Sequence, residues 1–205
     1  MTLAPVTLTA GESLNITACG LCGDKAVWLV YEMRKPIAGA GYTYHVQGTA
    51  RSIVGAGATN DYPYRGGPWN ACDGFLSIIV GEGITSIGDG AFYHTEMSYS
   101  YTDVSLPGTL RSIGDDAFNG LAFGNAMTLP EGLVSLGNNA FSNSNITALH
   151  LPASLREIGF WDGADELRYN PIGTQCRYLQ EITASENSSV LCARDGVLYT
   201  KDMTA

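Results

Sequence analysis

The residues able to do chemistry are few and scattered. Three histidines, His45, His94 and His150, stand far apart, and none opens the HExxH pattern of a zinc protease. No GxSxG elbow and no GxxxxGK[ST] phosphate loop is present. Gly55-Ala-Gly57 is too short for a dinucleotide fingerprint and reads as a tight turn. Asp115-Asp116 is the one pair that suggests acid–base work, but the equivalent position further along the chain is Asn138-Asn139. An amide pair cannot relay a proton, and it withholds the charge that calcium needs. Asp61, Asp73 and His94 do not group into a site either. The expectation is a protein that is not an enzyme, with no metal and no cofactor.

The five cysteines are Cys19, Cys22, Cys72, Cys176 and Cys192. A zinc ribbon needs a second CxxC, which is missing. Cys19-Gly-Leu-Cys22 has the spacing of a redox pair, but no βαβ pattern follows it. A short structural disulfide, or two packed thiols, is the plainer reading. Cys176 and Cys192 are close in sequence and are candidates for a second bridge, which leaves Cys72 odd.

Composition narrows the partners. The chain has 205 residues and a net charge of −9, from 11 Lys plus Arg against 20 Asp plus Glu. A surface of that sign repels phosphate backbones and anionic lipid. Nucleic acid is therefore not an expected partner. No apolar run approaches the roughly 18 residues of a spanning helix, so no membrane insertion is expected. Hydrophobic residues reach 45% while charged residues are 15%, enough apolar material for a real core. The 25 glycines favour turns and strands. The first ten residues lack a basic n-region and an apolar h-region, so they are not expected to be a signal peptide. The final Tyr199–Ala205 stops within a strand-like pattern, which suggests part of something longer.

What must position any functional side chain is a repeat. Val104-x-Leu106-Pro-Gly-Thr-Leu110-Arg-Ser-Ile113-Gly-Asp-Asp-Ala117-Phe118 is followed by Met127-x-Leu129-Pro-Glu-Gly-Leu133-Val-Ser-Leu136-Gly-Asn-Asn-Ala140-Phe141. Ile78-x-Val80 to Phe92 precedes them with the same internal spacing, and Leu149-x-Leu151 to Gly159 follows. Unit lengths measured at Val80, Leu106, Leu129 and Leu151 are 26, 23 and 22. The apolar-x-apolar pair alternates as a half-buried strand does, and Pro or Gly ends it. Gly88, Gly114, Gly137 and Gly159 mark either a positive φ or a close approach of another backbone. Asp89, Asp115 and Asn138 are expected to cap a short helical turn carrying Ala-Phe. Phe92, Phe118 and Phe141 should then stack in one interior column, because a single unit cannot bury its apolar face alone. The fourth unit departs, with Phe160-Trp161-Asp-Gly after Gly159. The next apolar pair, Ile182-x-Ala184, follows an inserted loop around Arg168 to Cys176.

The unit L-P-x-x-L-x-x-I-G-x-x-A-F resembles the leucine-rich repeat of bacterial BspA-like surface proteins, and its length falls within the range of about 20–29 for such repeats. The likeness is strong over 75–159 and extends weakly to about 205, where Asp195–Asp202 resembles a hairpin segment of these repeats. Cys22-Gly23 to Trp28, Ile53–Tyr62 and Pro68-Trp69 are similar in order to a short β-module that precedes the family's first repeat. The fold implied is mainly β: a leucine-rich-repeat solenoid of short strands, turns and short helical turns. Residues 1–74 form a β-rich N-terminal capping module and 75–205 about four to five repeats. The resemblance further implies a cell-surface or secreted bacterial protein that binds a host or microbial protein or glycan on another cell or matrix, adhesin-like. The alternative is a structural spacer or display segment of a larger surface protein.

Candidate ligand residues are the outward strand positions Ser105, Thr128 and His150, beside Ile79. The aromatics of the two inserted loops join them: Tyr93, Tyr99 and Tyr101 in the first, Trp161 in the second. Aromatic side chains are enriched at recognition surfaces.

Overall fold

The computed structural model describes residues 13–19, 28–36, 41–47, 50–62, 67, 77–94, 103–124, 126–159 and 176–201. It begins with an antiparallel meander of β1 (Ser13–Cys19), β2 (Trp28–Pro36), β3 (Tyr42–Gln47) and β4 (Ala50–Gly55). Strand β4 then pairs in parallel with β6 (Ser77–Val80), and β6 with β8 (Asp103–Ser105), so the meander runs directly into the repeat sheet. A second sheet stacks β5 (Gly57–Ala58), β7 (Ile84–Ile87), β9 (Ser112–Ile113), β11 (Ser135–Leu136) and β13 (Glu157–Ile158), one strand per coil. A third sheet joins β10 (Met127–Thr128), β12 (Ala148–Leu151) and β14 (Glu181–Ala184) in parallel. The hairpin β15 (Leu191–Arg194) and β16 (Val197–Thr200) follows, turning through Asp195 and Gly196, both at positive φ.

The repeat spacing read in the sequence is the solenoid's period. Phe92, Phe118 and Phe141 are fully buried and form one stack, with centroids 5.3 Å and 5.6 Å apart and planes within 2° and 7°. Phe123 meets the last two rings edge-on. Ile84, Leu110, Leu133 and Leu155 make a parallel buried row, and Ile87, Ile113 and Leu136 another. Each such side chain removes apolar surface worth about 1.5–3 kcal/mol, realised only when the neighbouring coil is present.

No helical turn forms at the Ala-Phe segments among the described residues, contrary to the expectation from sequence. Residues 115–120 and 138–143 are consecutive turns. The reason lies in where the N–H groups go. Phe92 N–H donates to Ala117 O (2.7 Å) and Phe118 N–H to Ala140 O (2.8 Å), each on the next coil, so no i→i−4 ladder can build. The coils are thus hydrogen-bonded along their turns as well as through their strands.

The same stacking explains the glycine column. Gly88, Gly114, Gly137 and Gly159 are not at positive φ; close approach is the constraint. A Cβ on Gly114 would stand 2.3 Å from Asp89 Oδ1 and 2.7 Å from Asp89 N. The left-handed position comes two residues later, at Gly90, Asp116 and Asn139, whose residue types tolerate it.

At the N-terminal side, residues 50–62 lie in register with the first repeat on both sheets. Tyr42, Tyr44 and Ile53 are buried against it. The boundary expected at 74/75 lies outside the described residues.

Candidate functional site

The solenoid presents its outward strand positions as rows. Pairing in register aligns Ser52, Ile79 and Ser105 on the first sheet and Thr128, His150 and Thr183 on the third. Ser105 and Thr128 are exposed, and Ile79 is 45% exposed beside Val54 at 48%. His150 is half-buried, and its Nδ1 lies 2.6 Å from Thr183 Oγ1, a contact across 33 residues of sequence. Thr183 was not legible as a partner because an inserted loop separates the two strands. These groups offer hydroxyls, an imidazole and apolar side chains on a sheet face, which suits contact with a ligand surface rather than bond making.

Tyr93 lies elsewhere. It lines a cavity of about 290 Å³ with Tyr62, Asp89, Gly90, Asp115, Asp116 and Asn119. Tyr62 is half-buried there and its hydroxyl sits 3.1 Å from that of Tyr42. Burial, and then the Tyr42 contact, push its phenol well above the usual tyrosine range. Asn119 Nδ2 donates to Asp116 Oδ1 (2.7 Å), and Asn143 Nδ2 to Asn119 Oδ1 (2.9 Å), tying this wall across coils. Tyr99, Tyr101 and Trp161, the other aromatic candidates, lie outside the described residues, as does Asp73.

A feature missed in the sequence is a groove of about 660 Å³ running across the second sheet. Its floor is the glycine column, and Ser86, Ser112 and Ser135 line it in register. Ser112 and Ser86 share a 2.6 Å hydroxyl bond. Asp61 and Asp89 stand at one end, Arg156 and Glu157 at the other. The recurring Ser-Ile/Leu-Gly triplet was the available signal.

Asp89, Asp115 and Asn138 do not cap their own turns. Each accepts from the next coil or donates to the previous one: Asp89 N–H to Asp61 Oδ1 (2.9 Å), Asp115 N–H to Asp89 Oδ1 (2.8 Å), Asn138 N–H to Asp115 Oδ1 (2.6 Å). The capping expectation is therefore corrected. Neighbouring parallel strands run about 4.8 Å apart, which brings the next coil's N–H as near as the turn's own. Among the described residues the row stops at Asn138, whose buried Oδ1 has no hydrogen-bond partner there.

The cysteine pairing is corrected as well. Cys176 and Cys192 are not bridged to each other. Cys176 Sγ instead donates to Phe141 O (3.1 Å) beneath the aromatic column, and burial raises its pKa. Cys192 lines a separate cavity on the C-terminal hairpin with Arg194, Tyr199 and Lys201. Cys19 lies in β1, and Cys22 and Cys72 lie outside the described residues. Among the described residues no three His, Cys, Asp or Glu side chains converge to hold a metal, and no helix is long and apolar enough to cross a membrane.

The fold has known counterparts. A leucine-rich repeat protein from Eubacterium ventriosum superposes with a TM-score of 0.60 at 23% identity, over 83% of this chain and 49% of its own. The pneumococcal vaccine antigen PcpA gives 0.43 at 16% identity, over 81% of this chain and 54% of its own. A leucine-rich cell surface protein from Faecalibacterium prausnitzii gives 0.34 at 18% identity, over 83% and 59%. This chain thus spans about half the length of the first of these. No curated protein matches it. Residues 85–162 match the BspA type leucine rich repeat region in six copies. Through that stretch, with its stacked phenylalanines and one strand per coil on each sheet, the chain carries repeats that match the BspA type.

Proposed function

We propose that this protein is a non-catalytic binding module of a cell-surface or secreted bacterial protein, adhesin-like, which recognises a protein or glycan on another cell or matrix. Repeats of this family are generally non-catalytic and generally mediate protein interactions. The observation that carries the reading is the pair of aligned outward rows, Ile79–Ser105 and Thr128–His150–Thr183. Parallel pairing holds their spacing, so ligand contacts need little further ordering. Tyr93, with Tyr99, Tyr101 and Trp161, supplies the aromatic complement. In this reading residues 1–74 form the cap and 75–205 the repeats.

The test is to screen the purified chain against cells, matrix proteins and a glycan array. Binding to one class is expected. Thr128→Arg and Ser105→Arg, both on the exposed face, should weaken it by about tenfold or more, since a misplaced charge at a contact costs upwards of about 1.4 kcal/mol. Binding that survives both substitutions would remove the sheet face as the site. Absence of binding throughout, with attached enzymatic modules in the full-length protein, would favour the spacer role.

A further inference from the structure

The aligned Asp61, Asp89 and Asp115 place one carboxylate on each of three successive coils, on the same edge of the stack. We propose that this column makes the stacking of the coils pH-sensitive, with the middle rung, Asp89, as the group whose ionisation loosens it. Asp89 is flanked on both sides: its Oδ1 accepts from Asp115 N, while its own N–H donates to Asp61 Oδ1. Strand spacing of about 4.8 Å sets the distance between rungs. At that range three like charges repel, and solvent at the exposed edge screens them only in part.

The described groups around Asp89 offer little relief. Tyr62, Tyr93, Asp115, Asp116 and Asn119 share its cavity, and no cation lines it among the described residues. On the groove side the described cation is Arg156, at the far end and beside Glu157. His94 is the nearest titratable base in sequence, bonded through its N–H to Asn119 O (2.8 Å). Partial burial, then the charges of Asp115, Asp61 and Asp116, hold Asp89 above its ordinary value of 3.8, against the opposing pull of the Asp115 N–H. A carboxyl raised in the folded state binds protons more tightly there than in the unfolded chain. Its contribution is therefore fully present below the ordinary value and is lost as pH rises through the folded one.

The chain contains its own control. The next rung is Asn138, an uncharged residue whose N–H donates to Asp115 Oδ1 as that of Asp115 does to Asp89 Oδ1. Asp89→Asn keeps an Oδ1 acceptor for Asp115 N and removes the central charge.

The experiment is thermal unfolding of the full chain and of Asp89→Asn, in low salt, from about pH 3.5 to pH 7.5. At the upper end the variant should melt about 2–4 °C higher than the parent, and at the lower end the two should coincide. Raising the salt to about 0.5 M should shrink the gap by screening. Asp115→Asn should act in the same direction, and His94→Gln should leave the gap in place. A variant whose offset from the parent is the same at every pH would overturn the proposal, because the carboxylate would then matter only as a hydrogen-bond acceptor. So would a pH response that disappears in His94→Gln.

Discussion

Replacing Phe118 by alanine takes out the middle ring of the interior column. Phe118 is fully buried, stacked on Phe92 at 5.3 Å and on Phe141 at 5.6 Å, with Phe123 edge-on at 6.2 Å. The backbone is tied between coils on both sides of this ring, by Phe92 N–H to Ala117 O and Phe118 N–H to Ala140 O. The surroundings therefore cannot collapse into the space. Truncation of a buried phenylalanine costs about 3–5 kcal/mol where relaxation is limited, and the ring pairs contribute about 0.5–1.5 kcal/mol each within that total. For a chain of this size the midpoint should fall by about 6–20 °C. Thermal and urea unfolding would measure it. Phe118→Leu, which retains most of the volume, should cost well under half as much. Tyr178→Ala, at a position 59% exposed, should stay within about 0.5 kcal/mol of the parent. A loss below about 1 kcal/mol for Phe118→Ala, or equal losses for the alanine and leucine variants, would refute a dry shared column.

Gly114→Ala should destabilise by about 1–3 kcal/mol in urea titration, because its Cβ would press on Asp89 Oδ1 and on the backbone of Gly88 and Asp89. Asp195→Val puts a β-branched side chain at φ 50, so about 1–2 kcal/mol of protection should be lost from the β15–β16 amides in hydrogen exchange, whereas Asp195→Asn should leave them unchanged. Cys176 should react with iodoacetamide at about pH 8 at least about tenfold more slowly in the native chain than in urea, since burial raises its pKa and little thiolate forms. Equal rates in the two states would show that the thiol does not sit under Phe141.

Several features are legible in the amino-acid order alone. The recurring distance from the strand pair to the phenylalanine dictates a coil of constant circumference, so Phe92, Phe118 and Phe141 must meet in one column whatever the loops do. The outward positions Ser105, Thr128 and His150 follow from strand alternation. Which of them are neighbours does not, because it depends on register across insertions; hence the His150–Thr183 contact came only with the third sheet. The groove on the second sheet belongs to the same class, since its walls come from four strands far apart in sequence.

Local chemistry alone left the rest open or pointed the wrong way. Glycine at 88, 114, 137 and 159 fits a positive φ as well as a close approach, and only the adjacent coil's backbone decides for the second. Asp89, Asp115 and Asn138 look like caps because a cap is the nearest acceptor role within one turn. In the stack the neighbouring coil supplies the competing N–H, and a helix is not built. Cys176 and Cys192 are near each other along the chain, yet one thiol is drawn under Phe141 and the other lies on the hairpin. The amino-acid order by itself determined the period and the buried face, because these depend on spacing within one coil. Tertiary structure decided every partner across coils, because hydrogen bonds and side-chain contacts between stacked strands form at about 4.8 Å regardless of how much chain lies between.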